Sequence, residues 1–316
     1  MEFSIVLFKG DSPMKLWPSL AANAFCLQLG QGDTIFFYDS PPCGGHSSEA
    51  GSAEPRAAPV FFLVHGLGDE ADSWRHVIPL LNARGFRVLA VDLPGFGRSA
   101  VQGKINLKIH AEAVIKLIEV VLPNTQVFLA GSSLGSIVVE MAAFRRPDLV
   151  RGIVLIDASI PGGPVNPGPL AVAKLLLGRK WYKAYRGKPQ KAWRSLYPYY
   201  GDLDSMPEED KEFLRQRVMA RVESDTQERA FFATQRSLIW KYLFGSSAFV
   251  KKVRTYKGKI RLIWGAKDKI LSLSSAETFK ALRSDIELEV IPDAGHLPHQ
   301  EKPAETARLM ADFVLS

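Results

Sequence analysis

Cysteine and long apolar runs are both scarce in this sequence. Cys26 and Cys43 are the only cysteines among 316 residues, and they form no CxxC pair and no Cys/His spacing suited to zinc. That usage fits a reducing, cytoplasmic compartment. No apolar run approaches the ~20 residues needed to cross a bilayer. The stretch from Phe3 to Phe8 stops at Lys9, short of the about 7–15 apolar residues of a signal-peptide core, so secretion is not expected. What remains is ordinary for a globular chain, with 47% hydrophobic and 23% charged residues. The length allows one large domain, or a domain with a sizeable insertion. No internal repeat is evident.

Charge is unevenly placed. Between Pro161 and Ile260 there are 20 Lys and Arg against 9 Asp and Glu, a local +11 within a chain of net +7, which leaves −4 for the rest. This marks the middle of the chain as a separate unit. A solvated basic surface is the plain reading; attraction of an anionic substrate or an anionic membrane surface is the alternative. No nucleic-acid-binding module accompanies the charge, so a nucleic-acid partner is not expected.

Short β-branched and aromatic runs alternate with helical patterns. "PVFFLVHG" (59–66), "FRVLAVDLPG" (86–95), "TQVFLAG" (125–131), "GIVLIDAS" (152–159), "KIRLIWG" (259–265) and "IELEVIPDAG" (286–295) read as buried strands. "HAEAVIKLIEVVL" (110–122) and "ETARLMADFVL" (305–315) read as amphipathic helices. The alternation predicts an α/β fold with a mostly parallel sheet covered by helices on both faces. "FCLQLGQGDTIFFYDS" (25–40) reads as an antiparallel hairpin at its leading edge, and the Gly/Ser/Pro-rich 41–58 as a mobile loop in which His46 is solvated. Residues 160–256 interrupt the alternation. "PGGPVNPGP" (161–169) breaks the chain, and an aromatic, helical stretch follows with Trp181, Tyr182, Tyr185, Trp193, Tyr197, Tyr199 and Tyr200. It predicts a helical cap over the carboxyl edge of a core formed by 1–159 and 257–316.

"FLAGSSLGSIVVEM" (128–141) places adjacent serines between a strand and a helix. A serine on such a turn needs small residues two positions before and after it, because the chain doubles back closely. Only Ser133, between Gly131 and Gly135, meets this; Ser132 and Ser136 do not. A serine hydroxyl is a weak nucleophile until a base takes its proton. "IPDAGHLPHQEKP" (291–303) supplies His296 after the last strand, whereas His299 reads as a helix-start or surface histidine. An acid must orient the base and stabilise its imidazolium form. Asp268 in "LIWGAKDKI" is the favoured candidate, Asp157 in "VLIDAS" the competitor, and Asp293 a turn former. "VHGLGDEADSW" (64–74) leaves backbone amides free after a strand, so the Leu67 and Leu134 amides are the candidate oxyanion donors. Trp74 is read equally as a wall of the acyl pocket or as core.

Taken together, "HGLG", "DLPGFGRS", "GSSLG", "WGAKD" and "AGHLPHQEKP" resemble the α/β-hydrolase superfamily in its capped branch, and they stand in family order. The resemblance covers about residues 59–159 and 257–316. It implies an eight-stranded, mostly parallel sheet with the active site beneath the cap, and a Ser…Asp…His order that Ser133, Asp268 and His296 match. "GFGRSA" (95–100) imitates a dinucleotide-binding motif but does not open directly into a helix. Epoxide hydrolases and haloalkane dehalogenases of this branch place aspartate where Ser133 stands, so their alkyl-ester chemistry is not expected here.

The expectation is a serine hydrolase of a carboxylic ester or lactone, needing no metal or organic cofactor, with a rate that rises as histidine becomes neutral. Its expected substrate is a small apolar molecule, and the aromatic, basic cap would also suit one that carries an anionic group. The alternatives are a C–C bond hydrolase of a diketone-like metabolite, a ligand-binding protein on a hydrolase scaffold, and a lipase-like enzyme recruited to membranes through the cap. Oligomeric state is not readable.

Overall fold

The computed structural model describes residues 3–8, 14–30, 32–43, 58–158, 178–180 and 182–315. Most of the expected loop at 41–58, the chain break at 161–169 and Trp181 lie outside these residues. Nine strands form one sheet: β1 (Ser4–Leu7), β2 (Ala24–Gly30), β3 (Asp33–Ser40), β4 (Val60–Val64), β5 (Arg87–Val91), β6 (Val127–Ser132), β7 (Val150–Ile156), β8 (Lys259–Gly265) and β9 (Glu287–Ile291). Their spatial order is β1-β2-β3-β5-β4-β6-β7-β8-β9. The first three are antiparallel, β3 joins β5 antiparallel, and β4 to β9 run parallel.

The sheet thus has nine strands where eight were expected. The extra one, β1, pairs antiparallel with β2 from Ser4↔Gln28 to Leu7↔Phe25. All four of its residues are exposed, so it has no inward-facing set and no alternation to betray it. The expected hairpin at 25–40 is β2 and β3.

The central parallel strands read as mainly apolar runs because both faces are covered, whereas the edge strand β9 keeps Glu287 and Glu289 and is only half-buried. Alternate residues serve opposite cores: Phe62 and Val64 of β4 join one cluster, Phe61 and Leu63 the other. The described helices are α1 (Val77–Asn82), α2 (Leu107–Val121), α3 (Leu134–Arg145), α4 (Pro189–Arg194), α5 (Glu208–Glu223), α6 (Asp225–Phe244), α7 (Ser246–Thr255), α8 (Leu273–Lys280), α9 (Pro298–Glu301) and α10 (Pro303–Leu315), and α1, α2, α3, α8 and α10 contribute most of the cover. The sequence dictates where α2 starts: the Asn106 side chain accepts from the Ile109 amide at 3.0 Å, satisfying one of the orphan donors of the first turn. None of the described helices is long and apolar enough to cross a membrane.

Between adjacent parallel strands β7 and β8 the chain makes the basic excursion that carries α4 to α7. Buried charge joins it to the sheet's connecting loops. Arg217 of α5 pairs with Asp72 and Glu70, Arg221 with Asp69 and Glu70, and Asp210 with Arg75. Burial alone would raise the Asp72 pKa, but Arg98 and Arg217 beside it pull it down to about 2. A further tie runs from His110 of α2 to Thr234 of α6, 2.8 Å apart.

Candidate active site

Ser133 stands between β6 and α3 with φ 52° and ψ −116°, a strained conformation for a residue with a side chain. The turn exists because its flanks are glycine. A Cβ on Gly131 would lie 2.3 Å from the Gly135 carbonyl oxygen, and one on Gly135 would lie 2.4 Å from that of Val64. Neither contact tolerates a side chain. The neighbouring serines are occupied otherwise: Ser132 is fully buried in the strand, and the Ser136 hydroxyl donates to the Ser133 carbonyl.

His296 reaches Ser133 from the loop after β9. Its Nε2 lies 2.9 Å from Ser133 Oγ, and its Nδ1 lies 2.8 Å from Asp268 Oδ2. The loops bearing His296 and Asp268 touch through glycine, since a Cβ on Gly265 would fall 1.9 Å from the Gly295 carbonyl oxygen. The excursion helps to hold this histidine, whose backbone amide donates to the Tyr199 carbonyl at 2.8 Å. Asp268 Oδ1 accepts from the Ile270 and Leu271 amides at 2.7 and 2.9 Å. Burial opposes its charge, but the hydrogen bond from His296 and these neighbours hold its carboxyl below the usual range.

Asp157, the competing acid, neither replaces Asp268 nor stands apart from it. It follows β7 with φ 41° and is fully buried. Its Oδ1 accepts from the Gly265 amide at 3.0 Å, while its Oδ2 has no donor among the described residues. One carboxyl oxygen of Asp157, one of Asp268 and a ring nitrogen of His296 lie within 4.8 Å of one another. Burial, and then the Asp268 charge, push the Asp157 pKa well above the carboxylate range. Two buried carboxyls this close do not both ionise. Asp268 has the imidazole and two amides to hold its charge; Asp157 has one amide, so a shared proton favours Asp157.

The loop after β4 lies against the serine: a Cβ on Gly66 would be 3.4 Å from Ser133 Cβ. The Leu67 amide in this loop and the Leu134 amide at the start of α3 have no acceptor among the described residues. His65 fixes the loop, a role that the sequence reading missed. Its Nε2 accepts from the Leu93 amide at 2.9 Å and its Nδ1 donates to the Gly66 carbonyl at 2.7 Å. The signal was the histidine of "HG", at the end of a strand whose carboxyl edge carries the site. Phe231 of α6 covers the same loop, 3.1 Å from where a Gly68 side chain would begin.

Two aromatic expectations are revised. His299 does begin a helix, α9, but it is not on the surface: it is fully buried, 2.7 Å from Ser73 Oγ, and burial drives its pKa down to about 3. Trp74 is fully buried in the core on one side of the sheet, its ring 4.4 Å from that of His299, and so takes the core role among its two readings. Asp293 pairs with Lys267 at 2.8 Å on the surface.

Comparison with known proteins agrees with this architecture. The model of the Alpha/beta hydrolase family matches residues 61–309, and the chain belongs to that family. Epoxide hydrolase B of Mycobacterium tuberculosis is 31% identical over 150 residues, 43% of this chain and 42% of that protein. Among solved structures, a bacterial membrane phospholipase A superposes with a TM-score of 0.71 at 22% identity, over 92% of this chain and 85% of that one. A meta-cleavage product hydrolase of Pseudomonas fluorescens superposes with a TM-score of 0.69 at 20% identity, over 90% and 94%. The protein is a hydrolase by family; at these identities the structural likeness speaks for the fold.

Proposed function

We propose that this protein is a serine hydrolase that cleaves a carboxylic ester or lactone through an acyl-enzyme on Ser133. The observation that carries this reading is the unbroken relay from Ser133 Oγ to His296 at 2.9 Å and from His296 to Asp268 at 2.8 Å. Ser133 Oγ attacks the carbonyl carbon while its proton passes to His296 Nε2. Asp268 stays ionised and stabilises the imidazolium. The Leu67 and Leu134 amides receive the oxyanion, where fixed donors are worth most. His296 then gives its proton to the leaving alkoxide, which departs as an alcohol or, from a lactone, remains tethered as a hydroxyl. Water yields a proton to neutral His296 and attacks the acyl carbon. Collapse breaks the acyl–Oγ bond and returns the proton to Ser133.

Asp157 serves this relay from behind. In its neutral form it is a donor to the Asp268 carboxylate, which satisfies its own second oxygen and holds Asp268 square to the imidazole. The excursion between β7 and β8 acts as the cap and, through Tyr199 and Phe231, closes the site to water. The likeness to epoxide hydrolases is one of scaffold: a serine in place of their aspartate suits an acyl intermediate that water attacks at the acyl carbon.

Stopped-flow hydrolysis of p-nitrophenyl acetate and butyrate tests this reading. A burst of nitrophenolate equal to the enzyme concentration, followed by slower turnover, is expected. Inert aryl esters with steady cleavage of a β-diketone would transfer the assignment to C–C bond hydrolysis.

A further inference from the structure

From Arg229 to Lys259 the sequence contains eight Lys and Arg and no Asp or Glu. This run covers the second half of α6 and all of α7. Arg236, Lys251, Lys252, Arg254 and Lys257 are exposed in it and form no ion pair with another described residue. The contrast with α5 is direct, since its Arg215, Arg217 and Arg221 are all paired. The same run carries the most exposed large apolar side chains of the excursion among the described residues. Trp240, Leu243 and Phe244 are 59%, 58% and 74% exposed, and the Trp240 and Phe244 rings stack 4.9 Å apart. With Arg236 they occupy positions 236, 240, 243 and 244, one stripe of the helix. Lys241 sits within this tip, its ammonium 5.2 Å from the Phe249 ring; burial first, and then the positive charge of Lys252, depress its pKa against the pull of Glu140. Exposed aromatics and five cations without an ion pair among the described residues thus share one stretch of chain.

We infer that the end of α6, with Trp240, Leu243 and Phe244, enters the interfacial region of an anionic phospholipid bilayer while Arg236, Lys251, Lys252 and Arg254 bind its headgroups. The chemistry argues for this occupant. Tryptophan and phenylalanine flanked by basic residues favour the boundary between headgroup and acyl chain. A run of eight Lys and Arg with no acidic residue matches a surface of one negative sign better than an ordinary protein face of mixed charge. The aliphatic Leu243 at the centre of the stripe gains from a hydrocarbon boundary and offers nothing to stack on a nucleobase. The docking does not depend on which bond Ser133 attacks.

The test is co-sedimentation of the full-length protein with vesicles of phosphatidylcholine alone, and of equal parts phosphatidylcholine and phosphatidylglycerol, at low and high salt. Binding to the mixed vesicles, weakened by salt, is expected. The emission of exposed Trp240 should shift to the blue in the wild type and not in Trp240→Ser. The triple variant Trp240→Ser, Leu243→Ser, Phe244→Ser should lose about tenfold or more in partitioning. Lys251→Glu with Lys252→Glu should lose a similar factor, at roughly fivefold per lysine removed from an anionic surface. Unchanged thermal midpoints establish that these variants fold. No binding to anionic vesicles, or binding indifferent to both variants, overturns the inference. Binding of polyuridylate, in place of vesicles, through the same lysines overturns it too and reassigns the surface to single-stranded nucleic acid.

Discussion

Asp157 and Asp268 follow neighbouring parallel strands and present carboxyl oxygens within 4.8 Å of each other, yet their pKa values are displaced in opposite directions, that of Asp157 upward by burial and that of Asp268 downward by its partners. The difference follows from their partners: an imidazole and two amides for Asp268, one amide for Asp157. A neutral acid behind the charged one makes a prediction that separates it from a mere core residue. Asp157→Asn keeps a donor of the same shape and should hold kcat within about threefold. Asp157→Leu removes the donor to a buried charge, worth about 1.5–3 kcal/mol, and should lower kcat by roughly 10–100-fold with little change in KM. Steady-state kinetics of both variants on one aryl ester decide this. Equal loss in the two would assign Asp157 to structure alone.

The joint between the excursion and the sheet makes a second prediction. Arg217 and Asp72 are buried 145 residues apart in sequence and pair directly. Arg217→Ala would leave Asp72 with Arg98 as its one paired cation, beside the Tyr38 hydroxyl and the Trp17 amide, and should cost about 3–5 kcal/mol, the usual loss on breaking a buried pair. Asp72 is held near 2 in the folded protein, below its unfolded value. Its contribution is therefore full above the unfolded pKa and is lost as pH falls towards 2. Urea unfolding at neutral pH and in mild acid measures both effects: the gap between wild type and variant should narrow in acid.

Much of this was readable in the sequence, and the reasons are physical. The central parallel strands announced themselves because a strand covered on both faces is largely apolar, and edge strand β9 by its alternation of Glu with Leu and Val. Ser133 could be told from Ser132 and Ser136 because only glycine fits where Gly131 and Gly135 meet backbone at 2.3 and 2.4 Å. What stayed hidden depended on partners distant in the chain. The four exposed residues of β1 gave no pattern. His299 looked like a surface residue because its burial under Trp74 and its bond to Ser73 come from a segment 226 residues away. The basic excess of the middle segment was visible, but its division into paired cations on α5 and cations on α6 and α7, such as Arg236, Lys251 and Lys252, without an ion pair among the described residues was not. Asp157 was weighed as a rival to Asp268, since spacing alone cannot express that both acids meet.

Glu140 makes a prediction about pH. It lies on α3 seven residues after Ser133, fully buried, with neither carboxyl oxygen hydrogen-bonded among the described residues. Burial raises its pKa well above the ordinary value, only partly countered by Lys241. A raised folded-state pKa means that its contribution is present below the unfolded pKa and is lost as pH rises towards the folded one. Glu140→Gln removes that loss. Its thermal midpoint should gain on the wild type as pH rises from 5 to 8, an interval that begins above the carboxylate's ordinary pKa of about 4.3. A difference that does not change with pH would show Glu140 to be ionised in the fold.

The central claim is that Ser133 is an activated nucleophile, and intact mass after fluorophosphonate treatment tests it most directly. One adduct on the wild type, absent from Ser133→Ala and much slower to form in His296→Ala, is the predicted result. Removing one member of such a relay typically costs ~10⁴ or more in rate. An unmodified wild type, or an adduct that survives in Ser133→Ala, would contradict the account.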